Sequence, residues 1–314
     1  MQEAILTASN LHKSYAENHA VRGISFEITR GEVFGLLGPN GAGKTTTISM
    51  LTSLTEPTSG NIVVDGIDLA QNAKAIKSKL GLVPQELALY PTLSAWDNLF
   101  FFGRIYGLHG KLLKERVNAV LGMVVLSDRA KDAIKTYSGG MKRRINIAAG
   151  LLHEPEILFL DEPTVGVDPQ SRNAIFESIE RLNKAGLTIL YTTHYMEEAQ
   201  RLCDRVAIID RGQIIALDSP KNLIRGLGGG IIRLGLHNGY LSAVSQRGKG
   251  HPAIKAISCT DEYLVVETYR AQEALMGLLD ITSQLDARVT SLEILEPNLE
   301  TVFLQLTGKT LRDN

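Results

Sequence analysis

Residues 38–45 read Gly38-Pro39-Asn40-Gly41-Ala42-Gly43-Lys44-Thr45 and satisfy the pattern GxxxxGK(S/T). The glycines let backbone N–H groups close around phosphate oxygens. Lys44 can then reach the terminal phosphates, and the Thr45 hydroxyl suits Mg²⁺. Further along, Ile157-Leu158-Phe159-Leu160 is an apolar run that ends in two carboxylates, Asp161 and Glu162. Asp161 suits a Mg²⁺ partner through water, and Glu162 a base that polarises an attacking water. A helix cap ahead of Pro163 is the competing reading of Glu162. A third element, Tyr137-Ser138-Gly139-Gly140, precedes Ile145, Ala148, Ala149 and Leu152 at helical spacing. A glycine-headed helix terminus attracts phosphate, although taken alone this stretch reads more simply as a helix capped by Ser138. Loop, lysine, hydroxyl and carboxylates together imply a site for a nucleoside triphosphate with Mg²⁺.

These residues need elements to hold them. The apolar run 33–37 reads as a buried strand entering the phosphate loop, and 46–54, beginning with Thr46, as a helix leaving it. Runs at 80–83, 157–160, 188–192 and 206–209 are apolar on both faces, which suits strands of a parallel sheet covered by helices on each side. Residues 21–28 and 62–65 look like antiparallel strands, with turns at Thr29-Arg30-Gly31 and Thr58-Ser59-Gly60. Helical periodicity between Gln85 and Tyr137 predicts an inserted helical subdomain. The stretch Gly226-Leu227-Gly228-Gly229-Gly230 reads as a linker between a first domain, 1–225, and a second, 226–314.

In the second domain, strands are expected at 231–236, 253–258, 263–269 and 288–295. A short helix fits 241–246, a longer one carries Ala271, Ala274, Leu275 and Leu278, and 299–306 closes the chain. The order β-α-β-β-α-β suggests a ferredoxin-like split sandwich.

Composition narrows the classes. The chain has 314 residues, 44% of them hydrophobic, and a formal net charge of −1, so no global basic field favours nucleic acid. Two scattered cysteines, Cys203 and Cys259, build no disulfide framework and point to a reducing compartment. The first ten residues lack the character of a signal peptide, and no apolar run approaches the roughly 18 residues of a membrane span. Work at a membrane would pass through a partner.

Six elements in order carry a resemblance: GPNGAGKT, Gln85 in VPQE, YSGGM, ILFLDEP, Asp168 in VGVD and His194 in TTH. Over residues 4 to about 225 the chain closely resembles an ATP-binding cassette (ABC) ATPase. Beyond the linker, Leu295-Glu296-Pro297-Asn298-Leu299-Glu300-Thr301-Val302-Phe303 resembles the C-terminal extension of drug-resistance-type ABC exporter ATPases. The resemblance implies an α/β phosphate-loop fold with a mainly parallel core sheet, an antiparallel β subdomain and a helical subdomain. It implies ATP and Mg²⁺ as cofactors.

Residue by residue, it gives Tyr15 to the adenine face, residues 38–46 to the phosphates, and Glu162 to the role of base. Gln85 would contact Mg²⁺ or the lytic water, and His194 would hold the γ-phosphate. Asp168 would lie at a dimer seam; a helix N-cap before Pro169 is its plainer reading. In this family Ser138-Gly139-Gly140 of one subunit closes the nucleotide site of another. The implied partners are therefore a second copy and a separate integral membrane transport subunit, met at the cytoplasmic face of the membrane. No nucleic acid is expected. Leu87, Leu89 and Tyr90 lead the candidate docking surface, and Phe100, Phe101 and Phe102 read equally well as helical core. Departures from the family pattern are Met141, Tyr137 and the VGVD seam loop. A soluble ABC ATPase of translation or DNA, an importer ATPase and a non-hydrolysing regulatory module stay open as alternatives.

Overall fold

A computed structural model describes residues 3–226, 229–237, 239–260, 262–295 and 297–307. Leu227 and Gly228 of the glycine-rich stretch, and Glu296 of the tail motif, lie outside the described residues. In chain order the elements begin with β1 (Ala4–Tyr15), β2 (Asn18–Thr29), β3 (Val33–Leu37), α1 (Lys44–Leu51), β4 (Ser59–Val64), β5 (Ile67–Asp68), α2 (Ala73–Lys77) and β6 (Leu80–Val83). Next come α3 (Ala95–Ile105), α4 (Gly110–Met123), α5 (Gly139–Leu151), β7 (Ile157–Asp161), α6 (Pro169–Lys184), β8 (Thr188–Thr193), α7 (Met196–Leu202), β9 (Arg205–Asp210) and β10 (Gln213–Asp218). The chain ends with α8 (Pro220–Gly226), β11 (Gly230–Leu236), α9 (Leu241–Gly248), β12 (Ile254–Cys259), β13 (Tyr263–Thr268), α10 (Ala271–Gln284), β14 (Val289–Leu295) and α11 (Leu299–Thr307).

Contacts divide the chain into two compact units, Met1–Leu217 and Asp218–Asn314. The division precedes α8, which packs on α11 inside the second unit.

The first unit holds a six-stranded sheet in the order β10-β9-β3-β8-β7-β6. The pairs β9-β3, β3-β8, β8-β7 and β7-β6 are parallel. Every residue of β3, β7 and β8 is buried, as a sheet covered on both faces requires. A second sheet, β2-β1-β4-β5, is antiparallel. The two share one apolar core, in which Phe26 stacks on Phe34 at 5.1 Å. The sequence reading did not place β1. Its alternation is broken by register shifts between Ala8 and Leu11, where Asn10 takes a positive φ of 47°. The expected helix at 46–54 starts earlier, at Lys44, because Gly43 ends the loop as its N-cap. Helices α3, α4 and α5 pack on one another and bury Leu99, Leu113, Val117 and Ile145.

The second unit has the sheet order β12-β13-β11-β14 with each neighbouring pair antiparallel. With α9 and α10 as crossovers, this is the β-α-β-β-α-β arrangement expected from sequence. Its own core gathers Ile232, Leu234, Val244, Leu264, Val266 and Leu278. Each such side chain contributes about 1.5–3 kcal/mol relative to exposure.

Candidate nucleotide site

The phosphate loop joins the end of β3 to α1, and space dictates two of its glycines, Gly38 and Gly43. A Cβ on Gly38 would lie 2.2 Å from the Ile209 carbonyl oxygen, and one on Gly43 2.6 Å from that of Ala20. Gly43 also has φ +108°, a conformation closed to most side chains. Helix α1 starts with no side-chain cap and no acid in its first turn. Its first N–H groups, at the positive end of the helix dipole, therefore favour an anion. Thr45 is exposed there and Thr46 half-buried. Lys44 is buried, and its Nζ donates to the carbonyls of Gly38 at 2.7 Å and Pro39 at 3.1 Å.

Strand β7 delivers both carboxylates. Asp161 and Glu162 are 4% and 6% exposed, a burial that carboxylates tolerate only with partners. The Thr192 hydroxyl donates to Asp161 Oδ1 at 2.7 Å and accepts the Glu162 N–H at 3.0 Å. Glu162 has φ +45°, a left-handed conformation that costs a residue with a Cβ about 1–2 kcal/mol. That backbone turn aims the carboxylate between two partners. Oε1 lies 3.0 Å from Lys44 Nζ and Oε2 3.2 Å from His194 Nδ1. Lys44, Glu162 and His194 follow three neighbouring strands, β3, β7 and β8, and meet at the carboxyl edge of the sheet, where open α/β sheets bind ligands.

Among the described residues no three His, Cys, Asp or Glu side chains cluster as a ready-made metal cage. One hydroxyl, Thr45, and one carboxylate, Asp161, make a donor set that suits Mg²⁺, which keeps several waters and borrows phosphate oxygens.

The remaining sequence-derived residues are engaged elsewhere. The Ser138 hydroxyl accepts the Met141 N–H at 3.2 Å and caps α5. Gly139 is exposed with open space around it, whereas a Cβ on Gly140 would meet that of Ser171 at 2.2 Å. Asp168 caps α6, accepting the Ser171 N–H at 2.9 Å, and that bond holds its carboxyl below the ordinary aspartate value. Gln85 is exposed and Tyr15 is 50% exposed, with Lys13 Nζ 5.1 Å from the Tyr15 ring centre.

Comparison with known proteins decides the family. The ABC transporter family description matches residues 21–165. The linearmycin resistance ATP-binding protein LnrL of Bacillus subtilis is 48% identical over 314 residues, covering 98% of this chain and 100% of that protein. This chain belongs to the ABC transporter ATPase family. The Nod factor export ATP-binding protein I of Ralstonia nicotianae is 38% identical over 318 residues, 98% of this chain and 95% of that one. Among solved structures, the ATP-binding cassette MJ0796, a dimer in a post-hydrolysis state bound to ADP and Pi, matches with a TM-score of 0.62. Identity is 25% over 68% of this chain and 98% of that one. The chain is thus an ATP-hydrolysing subunit of an export-type ABC transporter.

For an ABC ATPase, several residues that the motifs pass over do structural work at this site. Arg143, buried on α5, donates from Nη1 to the carbonyls of Gln85 at 2.7 Å and Pro84 at 3.2 Å. Burial pushes its guanidinium below the ordinary arginine value. Asn146, one helical turn on, accepts the Ala88 N–H at 3.3 Å. These bonds tie the Gln85 loop to the helix headed by Ser138. The visible signal is a pair of polar residues, three apart, on an otherwise apolar helix face. Thr192 is the same kind of signal, a hydroxyl inside a fully buried strand.

Proposed function

We propose that two copies of this chain enclose Mg²⁺-ATP, each supplying Lys44, Glu162 and His194 to its own site and Ser138-Gly139-Gly140 to the other. The observation that carries the reading is the convergence of Lys44 and His194 on the Glu162 carboxylate beside an uncapped helix terminus. A terminal phosphate competes for the same two partners. Mg²⁺, when bound, supplies charge neutralisation and would be held by the Thr45 hydroxyl and Asp161. Lys44 and His194 then turn to phosphate oxygens, and Glu162, released from both, accepts a proton from the attacking water. Tyr15, exposed at the end of β1, offers a ring face to the base. Gln85 reports site occupancy to the adjoining surface, because its backbone is fixed by Arg143.

That surface is apolar. Leu87, Tyr90 and Phe101 are 41%, 47% and 40% exposed, and Tyr90 meets Phe101 edge-on at 5.2 Å. Asn98 fixes it from beneath, accepting the Tyr90 N–H at 2.7 Å. We assign this patch to the membrane subunit, at the cytoplasmic face of the membrane; no helix among the described residues is long and apolar enough to cross a bilayer. Relatives named for linearmycin resistance and Nod factor export support efflux as the direction. The test is the mass of the Glu162→Gln protein by light scattering with saturating Mg²⁺-ATP. A nucleotide-dependent dimer is expected, and a monomer that still binds ATP overturns the two-copy site.

A further inference from the structure

The residue after His194 is placed to control it. The Tyr195 ring lies 4.1 Å from the His194 imidazole, centre to centre, tilted by 42°. On the Tyr195 ring, in turn, sits the Arg172 guanidinium, 5.1 Å from the ring centre. Imidazole, phenol and guanidinium form a row from the site to the first turn of α6.

A buried carboxylate fixes that row. Glu198 is 2% exposed. Its Oε2 accepts from the Thr193 hydroxyl and the Tyr191 phenol, both at 2.8 Å, and its Oε1 accepts from the Thr164 hydroxyl at 2.7 Å. Arg172 Nε lies 3.6 Å from the same Oε1 as an ion-pair partner. The Thr193 hydroxyl also accepts the Tyr195 N–H at 2.9 Å, so Glu198 sets the turn that carries His194. Burial, then the Glu198 charge, pushes the Tyr191 phenol well above its ordinary value and keeps it a donor. A carboxylate so placed is tolerated only in the one geometry that satisfies it.

We propose that Tyr195 is a positioning residue: clamped by Arg172 and seated by Glu198, it sets the ring plane of His194 for the terminal phosphate. Through α6 the same clamp reaches the other half of the machinery, since Ser171, beside Arg172, packs directly on Gly140 of α5. The inference rests on the assignment of His194 to the terminal phosphate.

Steady-state hydrolysis of Mg²⁺-ATP by the full chain tests it with Tyr195→Ala, Tyr195→Phe and His194→Ala. Tyr195→Ala should lower kcat roughly tenfold and leave KM within about twofold, the signature of an interaction made in the transition state. Tyr195→Phe, which keeps the stacked ring, should restore kcat to within about twofold of wild type. If Tyr195→Ala leaves kcat unchanged, moves KM instead, or matches Tyr195→Phe, the proposal falls. His194→Ala separates the two assignments: unchanged turnover there removes the phosphate role and the positioning role together. A slow His194→Ala with a normal Tyr195→Ala removes only the latter. Should Tyr195→Ala melt several degrees lower, Tyr195→Leu, with apolar bulk but no ring face, makes the same comparison.

Discussion

Helices α1 and α5 each start beside a glycine, yet the surroundings of their N-termini differ. At α1 no side chain caps the terminus, Lys44 is buried beside it, and Glu162 and His194 stand within reach. At α5 the Ser138 hydroxyl already caps the helix, Gly139 opens to solvent, and the buried cation, Arg143, faces away to bond the Gln85 loop. One terminus has a lysine, a histidine and a glutamate of positive φ beside it; the other offers backbone donors and a hydroxyl. The backbone differs as well: the N-cap Gly43 is left-handed at φ 108°, whereas Ser138 is extended at φ −63°. In the proposed two-copy site, what surrounds the helix end decides whether it holds a reacting phosphate or only closes over one.

The sharpest way to break this contrast is at Glu162. Glu162→Gln keeps the shape but removes the proposed base, and turnover should fall by about 100-fold or more while ATP still binds. Phosphate release paired with nucleotide titration checks it, and near-normal turnover would make Glu162 a structural partner of Lys44. Lys44→Ala comes next. It removes a charge-assisted contact of about 1.5–3 kcal/mol, so affinity for Mg²⁺-ATP should drop roughly 10- to 100-fold by calorimetric titration. Unchanged affinity would mean that Lys44 serves only to neutralise Glu162 within the fold.

Much of this was legible because the chemistry is local. The phosphate loop and the strand ending in Asp161 and Glu162 are each read from fewer than ten consecutive residues, and the glycine-headed α5 from the stretch between Tyr137 and Leu152. The second unit was legible too, since β13 alternates cleanly, β11 is a mainly apolar run and even the short α9 carries a buried Val244. Illegible were features set by distant partners. Arg143 declares itself only through carbonyls 58 and 59 residues away, and the partner of Glu162, Lys44, heads the distant helix α1. Strand β1 was hidden for a different reason: a bulge at Asn10 breaks the period on which such readings depend. The Arg172–Tyr195–His194 row joins α6 to the turn between β8 and α7, and no spacing in the sequence announces the Arg172 contact.

On the α5 side, Ser138→Asp divides cap from ligand. Aspartate caps helices as well as serine does, so the fold should hold, but it sets a negative charge where a phosphate must approach. Turnover should fall roughly tenfold with ATP affinity of the separate chains unchanged, an effect worth about 1.4 kcal/mol in the transition state. Equal turnover in Ser138→Asp and wild type would leave Ser138 a cap and nothing more.

The smallest effect is expected from Ser138→Ala. The Met141 N–H loses its acceptor at 3.2 Å, which costs about 1 kcal/mol at an N-cap. In a domain of this size that lowers the melting temperature by about 2–4 °C. Backbone N–H groups of α5 remain in place, and in the proposed site they supply most of what this terminus offers a phosphate, so turnover should fall only a few-fold. The comparison then closes on a ranking by two independent readouts: alanine melts lower than aspartate, and aspartate turns over more slowly than alanine. A helix end whose only task is structural would put both measurements in the same order, because activity would then follow stability.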